Sequence, residues 1–303
     1  MTYPLGYPLA SRATFQDTPS DAGSRPVPPT KDLRSYSHLS ARKLARIRDR
    51  LSPRDLEILT AVARFRVLSG EQLQRLFWPD GSPETRARLA RHGLARLRGL
   101  GVITPLARRV GGVRSGSQGL TFAVGVAGQR LLARSDSMRR ARYPHTPGER
   151  HLAHTLAIAR LYVELVERAR RDSSTEVLAY DPEPLCWRPY IAGFGGRQIC
   201  KPDASVRLGA GQYILSWLLE LDMSTEALPT IERKARSHLD YHRSGEAKRT
   251  HGVSPRVAWI VPDQERAEAV QLALDRLPTE ATRLFAVATA DQATALLTNE
   301  ARS

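Results

Sequence analysis

Cysteine is scarce in this chain, with only Cys186 and Cys200 among 303 residues. Two thiols cannot supply a disulfide framework, and they lack the paired spacing of a zinc site. We therefore expect free core thiols in a reducing cytoplasm. No apolar run reaches the roughly 20 residues that a membrane-spanning helix needs, and the first residues lack the pattern of a signal peptide. The sequence thus predicts a cytoplasmic protein without membrane association.

Several enzyme motifs are also missing. Without a Walker loop we expect no ATP use. Neither the G-x-S-x-G of serine hydrolases nor the H-E-x-x-H of zinc peptidases occurs. The Gly-rich stretch 193–198 precedes a β-like run rather than a helix, which disfavours a phosphate-cradling loop.

Positive charge is abundant: 46 Lys and Arg residues face 31 Asp and Glu residues, giving a net charge of +15. Most of these cations are arginine, whose planar guanidinium is suited to bidentate phosphate contacts. A large positive field indicates a polyanionic partner, most simply nucleic acid. The alternative is that the high arginine content results from a GC-rich coding sequence and has no connection with a ligand.

The composition divides the chain into four segments. Residues 1–50 begin with a Pro-, Ser- and Asp-rich stretch without apolar periodicity and end in a basic helix, so we expect a disordered, basic N-terminal segment. Residues 51–135 form the first predicted domain. Residues 136–150 have the composition of a linker, and residues 151–303 form the second domain.

The first domain has the element order of a winged helix-turn-helix. Three helices are predicted to start at Ser52, Ser69 and Ser82, and two β-like runs then flank a Gly/Ser/Arg loop, the predicted wing. In this motif the third helix enters the major groove of double-stranded DNA and the wing touches the backbone. The alternative is a winged helix used for protein contact. The predicted DNA-binding residues are Arg86, Arg88, Arg91, Arg96 and Arg98 of the third helix and Arg108, Arg109 and Arg114 of the wing. We also expect Gly93 to bend or break the third helix, because glycine costs about 1 kcal/mol relative to alanine there.

Acidic residues stand within two runs of the second domain that are each predicted to form one strand, "QICKPDASVRL" and "YILSWLLELDMS". Side chains alternate across a strand, so Glu220 and Asp222 are expected on one face. If the two runs pair as a hairpin, Asp203 can lie beside them. Three uncompensated buried carboxylates would be very costly, and a Mg²⁺ or Mn²⁺ ion resolves the conflict. The alternative is an edge strand whose acids are solvated or paired with nearby Lys or Arg.

A Pro-Asp strand followed by E-x-D between apolar residues, within the order α-β-β-β-α-β, resembles the PD-(D/E)xK nuclease superfamily. The chain more closely resembles the replication-relaxation family of actinobacterial plasmids and mobile elements, which is similar to mobilisation relaxases with a nuclease-like core. The resemblance implies an α+β fold: an N-terminal winged helix-turn-helix followed by an α/β restriction-endonuclease-like domain. It also implies a metal held by Asp203, Glu220 and Asp222, and a catalytic Lys234 that polarises the attacking water or steadies the phosphorane charge.

The sequence departs from the superfamily pattern at one position. A lysine is expected two residues after the acid, but Asp222 stands there, so Asp222 is either a third ligand or the mark of a core that binds DNA without cutting it. Four further residues are site candidates. Tyr241 is either a nucleophile or a packed tyrosine. His151 and His154 either orient phosphate, ligate metal or make ordinary polar contacts. Glu183 is an additional acid near the predicted site.

Three functions follow from this resemblance. The first is a replication-relaxation protein that binds double-stranded DNA and nicks plasmid or mobile-element DNA with a metal-dependent site. The second is a non-catalytic initiator or repressor on a degenerate nuclease core. The third is a restriction-type defence nuclease. Other replication or transfer proteins are implied as partners, and a homodimer is suggested by analogy with winged-helix proteins.

Overall fold

The computed structural model describes residues 39–106, 120–133, 144, 146–193, 195–224 and 226–299. The predictions for residues before 39, for most of the 136–150 linker, and for Arg108, Arg109 and Arg114 lie outside the described residues. Within the described residues, no helix combines the length and apolarity that crossing a membrane requires.

The N-terminal part consists of helices around a small antiparallel sheet with strand order β1-β3-β2. Its elements are α1 Ala41–Arg48, α2 Pro53–Phe65, β1 Leu68–Ser69, α3 Gly70–Phe77, α4 Pro83–Gly99, β2 Ile103–Pro105, β3 Thr121–Val124 and α5 Val126–Leu132. Ser52, Ser69 and Ser82 cap α2, α3 and α4 as expected, each side chain accepting a hydrogen bond from a backbone N–H three residues on. Such caps satisfy donors that have no partner inside the helix.

Helix α4 runs without interruption through Gly93, contrary to the expected bend. The glycine is there because Trp78 packs against the helix at this point. A Cβ on residue 93 would lie 2.7 Å from the Trp78 ring. The absence of a side chain therefore serves helix packing and does not break the helix.

The C-terminal part is a five-stranded mixed sheet with helices on both faces. Its elements are α6 Glu149–Arg171, β4 Thr175–Pro182, β5 Arg188–Ile191, β6 Arg197–Cys200, β7 Ala204–Ala210, β8 Tyr213–Leu221, α7 Leu228–Arg243, α8 Glu246–His251, β9 Arg256–Val261, α9 Gln264–Leu274, a 3₁₀ turn Thr279–Arg283, β10 Phe285–Thr289 and α10 Ala293–Asn299. The strand order is β10-β9-β8-β7-β4. Strand β7 is antiparallel to both of its neighbours, β4 and β8, while β8, β9 and β10 run parallel.

The predicted single strand through "QICKPDASVRL" is in fact two strands. Strand β6 ends at Cys200 and pairs with β5 in a separate two-stranded ribbon, whereas β7 begins at Ala204 and pairs with β4 and β8. Pro202 lies in the gap, and proline has no N–H to donate to a ladder. The break places Asp203 at the point where the chain enters the main sheet.

Two apolar clusters cover the faces of this sheet. One includes Val206, Trp217 and Leu219 and continues without a gap into the N-terminal part, where it reaches Ile58 of α2. The other packs Leu218 against α7 and α9. The N-terminal helices and the sheet therefore share one core.

Polar contacts reinforce this junction. The Arg75 guanidinium of α3 donates to both carboxylate oxygens of Glu167 in α6, at 2.9 and 2.7 Å. The Gln72 side chain donates to the Leu156 carbonyl at 2.8 Å. Bidentate Arg–carboxylate pairs fix orientation as well as contact, so α3 is held in one position on α6.

Candidate active site

Asp203 and Glu220 lie at the end of the antiparallel pair β7 and β8. The Asp203 N–H donates to the Leu219 carbonyl at 2.9 Å, and Asp203 Oδ2 accepts from the Leu221 N–H at 2.7 Å. The Asp203 carboxylate is thereby fixed across the backbone of the residues on either side of Glu220. Both carboxylates are buried, with exposures of 7% for Asp203 and 1% for Glu220.

Helix α7 supplies two cationic groups to Glu220. Lys234 Nζ lies 3.1 Å from Glu220 Oε2, and His238 Nε2 lies 2.7 Å from Glu220 Oε1. Residues four apart on a helix share a face, which is why both reach the same carboxylate. Lys234 also contacts Glu226 at 2.8 Å, and His238 Nδ1 lies 3.2 Å from the Cys200 sulfur. The sequence predicted Lys234 but not His238, Cys200 or Glu226.

The electrostatics of this cluster depend on burial and on neighbouring charge. Burial and the negative charge of Asp203 raise the pKa of Glu220, while His238 and Lys234 oppose that rise. Burial alone would lower the pKa of Lys234, but Glu220, Asp203 and Glu226 raise it overall. Burial likewise opposes a charged His238, yet Cys200 and Glu220 raise its pKa to about 10. The ammonium of Lys234 is therefore held in its charged form.

The second oxygen of Asp203 faces α6, where His154 Nε2 lies 3.1 Å from Asp203 Oδ1. This hydrogen bond raises the pKa of His154. Of the two histidines predicted from the sequence, the structure brings His154 to the site, while the other, His151, is exposed. Glu183 is also close, since its N–H donates to the Asp203 carbonyl at 2.9 Å and its carboxylate pairs with Arg66 at 3.2 Å.

Asp222 makes a different contact from the other two acids. Its Oδ2 lies 2.5 Å from Arg266 Nε of α9, and its Oδ1 is buried without a hydrogen-bond partner. Among the described residues, no three His, Cys, Asp or Glu side chains are placed to hold one metal ion. The expected three-carboxylate set with Asp222 is therefore not brought together among the described residues, and Asp222 pairs with Arg266 instead.

Tyr241, the candidate nucleophile, is a packed side chain. It is 3% exposed and meets Tyr190 edge to face at a centroid distance of 5.7 Å. Burial raises the pKa of its hydroxyl, which disfavours the phenolate that a nucleophile needs. The two cysteines are free and buried, as expected.

The arginines of α4 differ in their surroundings. Arg88, Arg91 and Arg98 are exposed, and the partly buried Arg86 donates to the Pro79 carbonyl at 3.5 Å. Arg96 is engaged within the protein, with NH2 2.5 Å from Asp55 Oδ2 and NH1 3.2 Å from the Arg50 carbonyl. Three of the five predicted α4 contacts are thus free to meet a partner.

The pair Asp203 and Glu220 has the donor chemistry of a Mg²⁺ or Mn²⁺ site. Mg²⁺ is commonly bound by one or two carboxylates and keeps several waters, so a third protein carboxylate is not required. Each carboxylate oxygen has two lone pairs, and the contacts with Leu221, Lys234, His238 and His154 use one per oxygen. The residues therefore fit such an ion.

A family model for replication-relaxation proteins matches residues 59–257. This chain belongs to the replication-relaxation family. The match confirms the resemblance seen in the sequence, and the matched residues of this replication-relaxation protein include Asp203, Glu220, Lys234 and His238. No curated protein matches the chain.

Among solved structures, the chain is similar to that of the restriction endonuclease FokI bound to DNA. The two chains share 13% sequence identity with a TM-score of 0.25, and the match covers 84% of this chain. The chain spans 43% of the length of that endonuclease. A structural similarity this low gives no information about the function of the site.

Proposed function

We propose that this replication-relaxation protein binds double-stranded DNA and nicks one strand at a Mg²⁺- or Mn²⁺-dependent site formed by Asp203 and Glu220. The observation that carries the proposal is the meeting of two buried carboxylates with the charged Lys234 at the end of β7 and β8. Paired carboxylates with an adjacent cation match the needs of phosphodiester hydrolysis, in which negative charge develops on phosphate oxygens.

Each side chain then has a defined task. A bound divalent cation would supply Lewis acidity and a water of lowered pKa. Lys234 stabilises negative charge on the phosphate, and it cannot act as a general base because its raised pKa keeps it protonated. His238 and His154 orient the two carboxylates by holding one oxygen of each.

The N-terminal part would recognise the duplex. The proposal takes the three helices and small sheet, in the order α2-β1-α3-α4-β2-β3, as a winged helix-turn-helix, whose third helix enters the major groove. In this proposal α4 is that third helix, and it is supported by the exposure of Arg88, Arg91 and Arg98. Such arginines bind phosphate and base edges without competing internal ion pairs.

A second candidate function is a DNA-binding factor that does not cut. It is favoured by the charge balance around Glu220, which already contacts Lys234 and His238. It is also favoured by the acid at the usual lysine position, Asp222, which pairs with Arg266. Both features allow the core to stay folded without a metal.

Nicking of supercoiled plasmid tests the proposal. Wild type, Asp203→Asn and Glu220→Gln are incubated with Mg²⁺ or Mn²⁺, with Asp240→Asn as the matched control because this acid lies exposed on α7. Metal-dependent open circles from wild type and the control, lost in the other two variants and with chelator, support the nickase. DNA binding without cleavage in either metal points to the non-catalytic factor, and linear product points to a defence nuclease.

A further inference from the structure

A second polar site lies beside the carboxylate pair. It is a small cleft that is partly open to solvent. The polar side chains among its lining residues are chiefly basic or hydroxyl-bearing. They include Arg188, Ser205, Arg207, Ser216, Tyr241 and His251.

The two arginines of this cleft make no ion pair with an acid among the described residues. Arg188 donates to Ser205 Oγ at 3.1 Å and to the Leu185 carbonyl at 3.2 Å, and neither Arg188 nor Arg207 makes an ion pair there. Asp181, the acidic residue of the lining, pairs with Arg64 at 3.3 Å. Positive charge that is not balanced internally attracts an anion.

The side chains of Arg188, Arg207 and His251 lie close enough to influence one another electrostatically. Burial lowers the pKa of His251, the positive charges of Arg188 and Arg207 lower it further, and the negative charge of Glu246 opposes the shift. The lowered pKa keeps the imidazole neutral near pH 7, so Arg188 and Arg207 carry the positive charge of the cleft. An anion bound between them would balance that charge.

The cleft adjoins the carboxylates on the same face of the sheet. Leu218 lines the cleft, and Glu220 follows two residues later on β8, so both side chains point to one face. Two residues of a strand span about 7 Å. Phosphates of one DNA strand follow each other every 3.4 Å or so of helix axis, so a strand that meets Glu220 can present another phosphate to the cleft.

We infer that this cleft binds a backbone phosphate of the DNA strand that is presented to Asp203 and Glu220. Arg207 and Arg188 supply guanidinium donors, which bind phosphate in a bidentate manner, and Ser205 and Ser216 supply hydroxyl donors. The inference rests on the proposed function, since it names a substrate contact of the same site. It assigns to the cleft affinity and strand positioning, not chemistry.

The test is the salt dependence of DNA binding by the full chain, measured by fluorescence anisotropy on a labelled duplex. Arg207→Gln is the main variant, because this exposed side chain makes no internal ion pair in the described chain. Arg276→Gln is the control, since Arg276 is 67% exposed and pairs with Glu232 at 3.0 Å. We expect Arg207→Gln to weaken binding several-fold on any sequence and to reduce the slope of log K against log salt by about 0.9, and the control to match wild type.

Calorimetric titration with inorganic phosphate separates the two sources of phosphate. A slope unchanged in both Arg207→Gln and Arg188→Gln, with no phosphate binding, overturns the inference and leaves the proposed function standing. Phosphate binding that is lost in Arg207→Gln while the DNA slope is unchanged also overturns it, in favour of a free phosphate ligand. Failure of the wild type to bind DNA would overturn the proposed function together with the inference.

Discussion

His238 of α7 lies 2.7 Å from Glu220 of β8 through its Nε2 atom, and both side chains are almost completely buried, at 2% and 1% exposure. On the other side of the imidazole, Nδ1 meets the Cys200 sulfur at 3.2 Å. A buried carboxylate needs hydrogen-bonding partners to remain charged. His238 therefore holds the Glu220 carboxylate in its observed orientation.

Replacement of His238 by alanine should destabilise the fold by about 3–5 kcal/mol, because it leaves a buried carboxylate short of a partner. The matched control is His242→Ala, which removes an exposed histidine from the same helix. Urea unfolding measures both. The double variant His238→Ala/Glu220→Gln should recover part of the loss, and equal stability of His238→Ala and the control would contradict the coupling.

Lys234→Met should lower the nicking rate by a factor of about 10²–10³, the usual effect of removing one group that stabilises transition-state charge. Duplex affinity should hardly change, since Lys234 is paired with Glu220 and Glu226. Single-turnover nicking and anisotropy separate the two quantities. Arg236→Gln on the exposed side of α7 is the control. If Lys234→Met lowered duplex affinity as much as it lowered the nicking rate, the lysine would be assigned to DNA binding.

The arginines of α4 should divide into two groups. Arg91→Gln should weaken DNA binding and flatten its salt dependence with no change in stability, because this side chain is exposed. Arg96→Gln should lower stability, since it releases the buried Asp55 carboxylate. Paired anisotropy and thermal melts distinguish the two. Undiminished DNA binding by Arg91→Gln together with Arg88→Gln would remove α4 from the interface.

Acid should weaken the N-terminal part through Asp55. Burial works to raise the pKa of Asp55, but hydrogen bonds from Arg96 and Ser52 lower it below its usual range. A carboxyl with a depressed folded pKa contributes stability that is present above its unfolded pKa and lost as the pH falls through the folded value. We therefore expect Asp55→Asn to be less stable than wild type at pH 7 and less sensitive to acid below about pH 4.

Melting temperatures across this pH range test the effect. Glu57→Gln, an exposed change on the same helix, should follow the wild-type curve. The same acid dependence in Asp55→Asn as in wild type would place the sensitive carboxyl elsewhere.

Local features of this chain were readable from the sequence, and long-range partners were not. The serine caps of α2, α3 and α4 and the positions of Asp203, Glu220 and Lys234 follow from short patterns. His238 is 18 residues from Glu220, and only its spacing of four from Lys234 on a predicted helix pointed to the site. The pairing of Asp222 with Arg266 was hidden because it depends on where α9 packs.

The split of the Pro-Asp strand and the continuity of α4 were misjudged for a common physical reason. Both depend on neighbours that the local pattern does not contain: strand partners that differ on either side of Pro202, and the Trp78 ring that fills the space beside Gly93. Propensity alone assigned a continuous strand and a weakened helix. Tertiary packing reversed both assignments.

The bond between Arg75 and Glu167, together with the core that runs from Ile58 to Leu219, makes α4 and the carboxylate pair parts of one rigid frame. A rigid connection of this kind fixes the distance between α4 and the carboxylate pair. If α4 binds DNA as proposed, Asp203 and Glu220 would reach only one position on the duplex. The break would then fall at a constant number of base pairs from the recognised sequence, whatever that intervening sequence is.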